Sequence, residues 1–210
     1  MNKSVESKSP TRTLIYIPII HTQADMGALR DHVKKASLKK LGISGWKRKI
    51  TLVDKYWTEI DKVIEGLSLP MEGVRIYQDA LPVSGKELVI IEELAKSGSR
   101  NYALLLSLIS KGAVITGTES LELLLEEYDH VKKTLEAEST EVRDAEKSAS
   151  GSILQRRDKF IAKRISETLL TGEVGLIFLG MLHSLEPWLD KDIRVVYPIH
   201  TPFKPGAQTV

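Results

Sequence analysis

Two histidines and two acids stand where apolar runs of the chain end. Thr13 to Ile20 leads into His21, and Val74 to Gln78 into Asp79. Ala113 to Thr116 leads into Gly117-Thr-Glu119, and Val174 to Leu179 into Gly180-Met-Leu-His183. Imidazoles with one or two carboxylates form a borderline donor set that Mn, Co or Zn accepts, with positions left open for water and substrate. His21, Asp79 and His183 are the expected ligands of a divalent transition metal. Glu119 is the expected general base, taking a proton from a water whose pKa the metal lowers. Arg157 joins them because Leu154, Arg157, Ile161 and Ile165 are spaced by three, four and four, which puts a guanidinium on an apolar helical stripe. There it needs a strand-edge carboxylate or an anionic substrate group.

Each of these residues also has a purely structural reading. The two histidines could bond to nearby loop carbonyls. Glu119 stands three residues after Thr116, the spacing of a capping box. Asp79 before Ala-Leu-Pro could accept hydrogen bonds within a turn, and Arg157 could snorkel at the rim of the core. Asp25, three residues after Thr22, reads as a helix-start cap and not as a ligand.

A site gathered from such distant positions needs a scaffold that brings strand ends together. The four runs, with Ile193 to Ile199 as a fifth, are apolar throughout instead of alternating, as strands buried on both faces are. Helical patterns separate them. One opens at Ser84-Gly-Lys-Glu87, a capping-box spacing, and runs to Lys96; a second spans Arg100 to Lys111 before Gly112. A third carries Leu121, Leu124, Leu125, Tyr128, Val131 and Leu135, and a fourth runs from about Ser152 to Leu170. The expected class is α/β, a mostly parallel central sheet with helices on both faces. Residues 13–201 read as a single domain, between a flexible N-terminal tail at 1–12 and a C-terminal tail at 202–210. The stretch 136–152, rich in Glu, Ser and Ala without apolar periodicity, reads as a mobile insertion, either a loop or a poorly packed helical extension.

Composition narrows the function classes. The chain has 210 residues, 42% apolar and 28% charged, and no cysteine. This excludes disulfides, thiol nucleophiles and Cys-ligated metal centres, and the expected location is cytoplasmic. A net charge of +2 gives no bulk attraction for nucleic acid. Residues 31–50 hold seven Lys or Arg against Asp31 alone, but with only Trp46 among them they read as a solvated helix face and loop, leading into an amphipathic helix marked by Trp57. No apolar run approaches the roughly twenty residues of a membrane span. The sequence has no G-x-x-x-x-G-K-[ST] loop, no G-x-G-x-x-G, no G-x-S-x-G elbow and no H-E-x-x-H helix.

With these residues in place, the chain resembles the TraB, Tiki and erythromycin-esterase-like group. That group carries G-x-x-H near the first strand, an acid after a later strand, and a second G-x-x-H near the C-terminus behind an Arg-bearing helix. Here the corresponding elements are Pro18-Ile-Ile-His21, Asp79, Gly180-Met-Leu-His183 and Arg157-Asp158. Pro18 replaces the first Gly, and Asp79 replaces the usual Glu. The resemblance implies metal-dependent hydrolysis of a peptide, ester or other small substrate. The alternative is a non-catalytic α/β binding or regulatory module that uses the same edge. Exposed edge strands and the helix bearing Trp57 make a homo-oligomer a further expectation.

Overall fold

The computed structural model describes residues 11–136 and 140–199, without the side chains of Met26, Ala28 and 135–149. Five strands, β1 (Arg12–Ile19), β2 (Val74–Gln78), β3 (Val114–Thr116), β4 (Val174–Gly180) and β5 (Ile193–Val196), form one sheet in the order β3-β2-β4-β1-β5. Every pairing is parallel. Helices α1 (Arg30–Gly66), α2 (Glu87–Lys96), α3 (Arg100–Ser110), α4 (Leu121–Glu136) and α5 (Thr140–Thr168) connect the strands. The expected α/β class is the observed one.

Apolar residues on both sides of the central strands β2, β4 and β1 bury two cores, whereas Val114 of edge strand β3 is exposed. Ile15, Ile17, Ile76 and Phe178 pack with Trp57, Ile60, Ile91 and Leu105 of α1, α2 and α3. Leu14, Tyr16, Tyr77 and Ile177 pack on the opposite face with Ile161 and Ile165 of α5 and with Leu169 just after it. Period-two side-chain alternation distributes neighbours such as Leu14 and Ile15 between the two layers, which is why no strand could afford a polar face. The chain leaves β2 for β3 on one side and β4 for β5 on the other. The loops after β2 and β4 therefore part from each other at the carboxyl ends of adjacent strands, the place where open α/β sheets form a crevice.

Two expectations need correction, and a third is narrowed to one of its alternatives. Thr11 and Arg12 do not belong to a flexible tail: Arg12 starts β1, and its guanidinium binds Asp190, Asp192 and the carbonyls of Ser166 and Leu169. Residues 1–10 and 202–210, the rest of the expected tails, lie outside the described residues. From Thr140 onward the expected insertion is the first part of α5, so it is helical extension and not loop. Its Glu, Ala, Lys and Arg content supplies helix propensity where apolar periodicity is missing. The basic segment 31–50 is helical too, bent at Gly42, whose φ of +67° breaks α1 into legs 30–41 and 43–66. Among the described residues, no helix is long and apolar enough to cross a membrane.

Candidate metal centre

The sheet brings all five chosen residues to one edge. Asp79 follows β2 directly and extends the ladder through its N–H to Phe178 O at 2.8 Å. The next residue, Ala80, has φ +60°, a left-handed conformation that costs a non-glycine residue roughly 1–3 kcal/mol. That turn aims the Ala80 N–H at Glu119 Oε1, 3.2 Å away. Glu119 is placed by its backbone as well: its N–H donates to Leu81 O, and its carbonyl accepts from Val83 N. Its carboxylate makes no bond to Thr116, so the capping-box reading of Glu119 is set aside in favour of its role at the sheet edge.

Asp79 is the hub. Its Oδ2 accepts from the Gly180 N–H at 2.9 Å and lies 3.1 Å from His21 Nε2 and 3.7 Å from His183 Nε2. Its Oδ1 accepts from Arg157 Nη2 at 2.7 Å. These partners come from other strands and from α5, so Asp79 is no local turn acceptor. A Cβ at Gly180 would lie 3.0 Å from Asp79 Oδ2, so a larger residue there would have to push that carboxylate aside by a few tenths of an ångström. The hydroxyl of Tyr16 donates to the Gly180 carbonyl at 3.0 Å and pins the same turn from below the sheet edge.

Arg157 is buried among acids and does not snorkel. Its Nε and Nη2 donate to the two oxygens of Glu119 at 3.0 and 2.5 Å, and its Nη1 donates to Glu127 Oε2 at 2.7 Å. Burial works against its charge, but the carboxylates of Glu119, Asp79 and Glu127 outweigh burial and raise its pKa further. Burial pushes the Glu119 carboxyl above its ordinary range against the opposing pull of Arg157. For Asp79 burial also acts upward, yet the His21 hydrogen bond and the positive charge of its neighbours hold it below the usual carboxylate range. The His21 imidazole shows the reverse balance: burial would lower it, and the Asp79 partner raises it.

Asp79, Glu119 and His183 each offer one donor atom, and these atoms all lie within 4.8 Å of one another in buried positions. Such a group could hold a metal ion. His21, expected as a ligand, joins the group only through Asp79 Oδ2 and remains 30% exposed. Glu119, expected as the base, has both oxygens engaged by Arg157. Asp25 acts as expected at a turn start: its Oδ2 accepts from Thr22 N at 2.5 Å, and its Oδ1 from the Ser99 hydroxyl.

Sequence reasoning missed three contributors. Asp158 accepts from His183 Nδ1 at 2.5 Å and from Ser184 N at 3.1 Å. Its signal was present, since Asp158, Ala162 and Ile165 form a second buried stripe on α5 that Leu169 continues just past its end. Glu127 stands four residues after buried Leu123 on α4. Gly180 could be read as a close-approach glycine only after Asp79 was placed against it. No family model matches the chain, and no match was found among curated proteins or solved structures.

Proposed function

We propose that the protein is a metal-dependent hydrolase of the TraB and Tiki type, acting on a small ester, peptide or related substrate at the carboxyl edge of the sheet. The observation that carries this reading is the environment of His183. Asp158 takes the Nδ1–H, which fixes the tautomer and leaves the Nε2 lone pair toward Asp79. This is the carboxylate-supported imidazole that metal sites use to orient a ligand. The donor chemistry fits Mn, Co or Zn, with Asp79, Glu119 and His183 as the holding residues. Charge fits as well, because Asp79, Glu119 and Glu127 surround a single guanidinium while Asp158 stands behind the neighbouring imidazole. When bound, a divalent cation would supply Lewis acidity toward a carbonyl and would acidify water.

The remaining work falls to the chain's own residues. Arg157 holds Asp79 and Glu119 in fixed orientation. His21, partly exposed and bonded to Asp79 through Nε2, is the group able to carry a proton to or from substrate, in a dyad whose acid sets the ring's orientation. Glu119 is a metal-holding acid more than a base, since Arg157 donates to both of its oxygens.

A second reading draws on the same guanidinium. Arg157 bridges Asp79 and Glu119 directly and could close the cluster with no ion, leaving a non-catalytic module held together by a buried charge network. Metal content separates the two. Elemental mass spectrometry of protein purified without chelator or a histidine tag should find near-stoichiometric Mn, Co or Zn in the wild type. An Asp79→Asn/His183→Ala double variant should have lost it. Equal, substoichiometric metal in both would remove the hydrolase reading.

A further inference from the structure

A cavity of about 320 Å³ opens between the two legs of α1 and reaches His21. Val33 of the first leg and Trp46, Ile50, Val53 and Trp57 of the second line it, so its walls are apolar and aromatic. The second leg is tied to the end of β1: the Trp57 indole donates to Ile20 O at 3.2 Å and the Tyr56 hydroxyl to Pro18 O at 2.8 Å. The helix that walls the cavity therefore also holds the strand end from which His21 projects. A dry cavity of roughly 150 Å³ accepts benzene, so this one has room for a group of about ten heavy atoms.

Its polar lining is unevenly satisfied. Arg100 is matched by Asp54 and Asp61, each at 2.6 Å. Lys49, exposed on the same wall, has no carboxylate partner among the described residues. At the His21 end Thr22 and Gln23 also line the cavity, and their Oγ1 and Nε2 are buried atoms without a hydrogen-bond partner.

We infer that this cavity binds the apolar portion of a small anionic substrate, with the hydrocarbon or aryl chain between Trp46 and Trp57. Its anionic end lies at Lys49, and its polar linkage lies at His21, Thr22 and Gln23. The assignment deepens the hydrolase reading by naming a substrate class, and it rests on that reading only for the identity of the bond at His21. Binding itself needs no turnover.

The test is calorimetric titration of the full chain with sodium octanoate and with 1-octanol, alongside metal content for each variant. The wild type should bind octanoate saturably at one site and 1-octanol about tenfold more weakly. Lys49→Gln should bring octanoate down to the affinity of the alcohol. Val53→Trp, which fills the cavity, should abolish binding of both while metal content stays at the wild-type level. Absent octanoate binding, an alcohol that binds as tightly as the carboxylate, or octanoate affinity unchanged by Lys49→Gln would each overturn the assignment. The last measurement decides even where Val53→Trp does not fold. Octanoate binding without metal would overturn the hydrolase reading alone, and metal without octanoate binding would overturn the cavity assignment alone.

Discussion

The two ends of the one sheet both carry arginine–carboxylate pairs, built in opposite ways. At the amino end, Arg75 meets Glu173 through two parallel bonds of 2.8 and 2.9 Å, and Arg12 meets Asp192 through bonds of 2.7 and 2.8 Å. Each of these guanidiniums faces acids that retain access to water. At the carboxyl end, Arg157, Asp79 and Glu119 are all withdrawn from solvent, and three carboxylates converge on the one guanidinium. The amino-end pairs close a structure that is complete in itself. The carboxyl-end cluster concentrates negative charge, a strained Ala80 and a supported imidazole where the loops diverge. Buried charge is a weak stabiliser, so this gathering supports the functional reading proposed above.

The sharpest way to break this comparison is to remove one guanidinium from each end. Arg157→Met should cost about 3–5 kcal/mol, since it strands buried carboxylates. Arg75→Met should cost about 1 kcal/mol or less, in keeping with a partly solvated pair. Urea denaturation of both variants measures the difference, and equal losses would show that the two ends are energetically alike.

Next in size is the support behind His183. Asp158→Asn should weaken metal affinity by about 10–100-fold while circular dichroism remains that of the wild type, because the imidazole loses the acid that orients it. Titration with Mn, Co and Zn followed by thermal melting reads this directly, since a ligand of the native state raises the melting temperature by mass action. A variant that responds to metal as the wild type does would remove Asp158 from the site.

The smallest effect concerns pH at the amino end. The Arg75 partner holds the Glu173 carboxyl below its ordinary value. A depressed folded-state pKa contributes stability above the unfolded value, about 4.3 for Glu, and loses it as pH falls through the folded value. The stability gap between wild type and Glu173→Gln should thus be present at pH 7 and close below about pH 4. A gap that stays constant across that range would mean that the pair contributes through packing and not through charge.

Much of the scaffold was legible in the chain. Unbroken apolar runs bounded by helical patterns specify strands with two covered faces, and β2 runs from Val74 to Gln78 as its residues predict. The placement of His21, Asp79, Glu119 and His183 after strands followed from the same reading, because parallel strands all point their carboxyl ends one way. Less legible was 136–152, where helix propensity without an apolar stripe resembles loop composition. Partnerships were harder still. Asp158 follows Arg157 directly and so cannot face it squarely, but nothing in that spacing says that its partner is an imidazole 25 residues away.

The sequence by itself determined which residues reach the edge of the sheet, since periodicity and strand direction are local properties carried by short stretches of chain. Only tertiary structure decided what they do to one another: that Arg157 bridges Asp79 and Glu119, that Gly180 makes room for an acid, and that the bend at Gly42 opens a cavity onto His21. Those outcomes depend on strand order and on distances of a few ångströms between elements far apart along the chain, which no local pattern encodes.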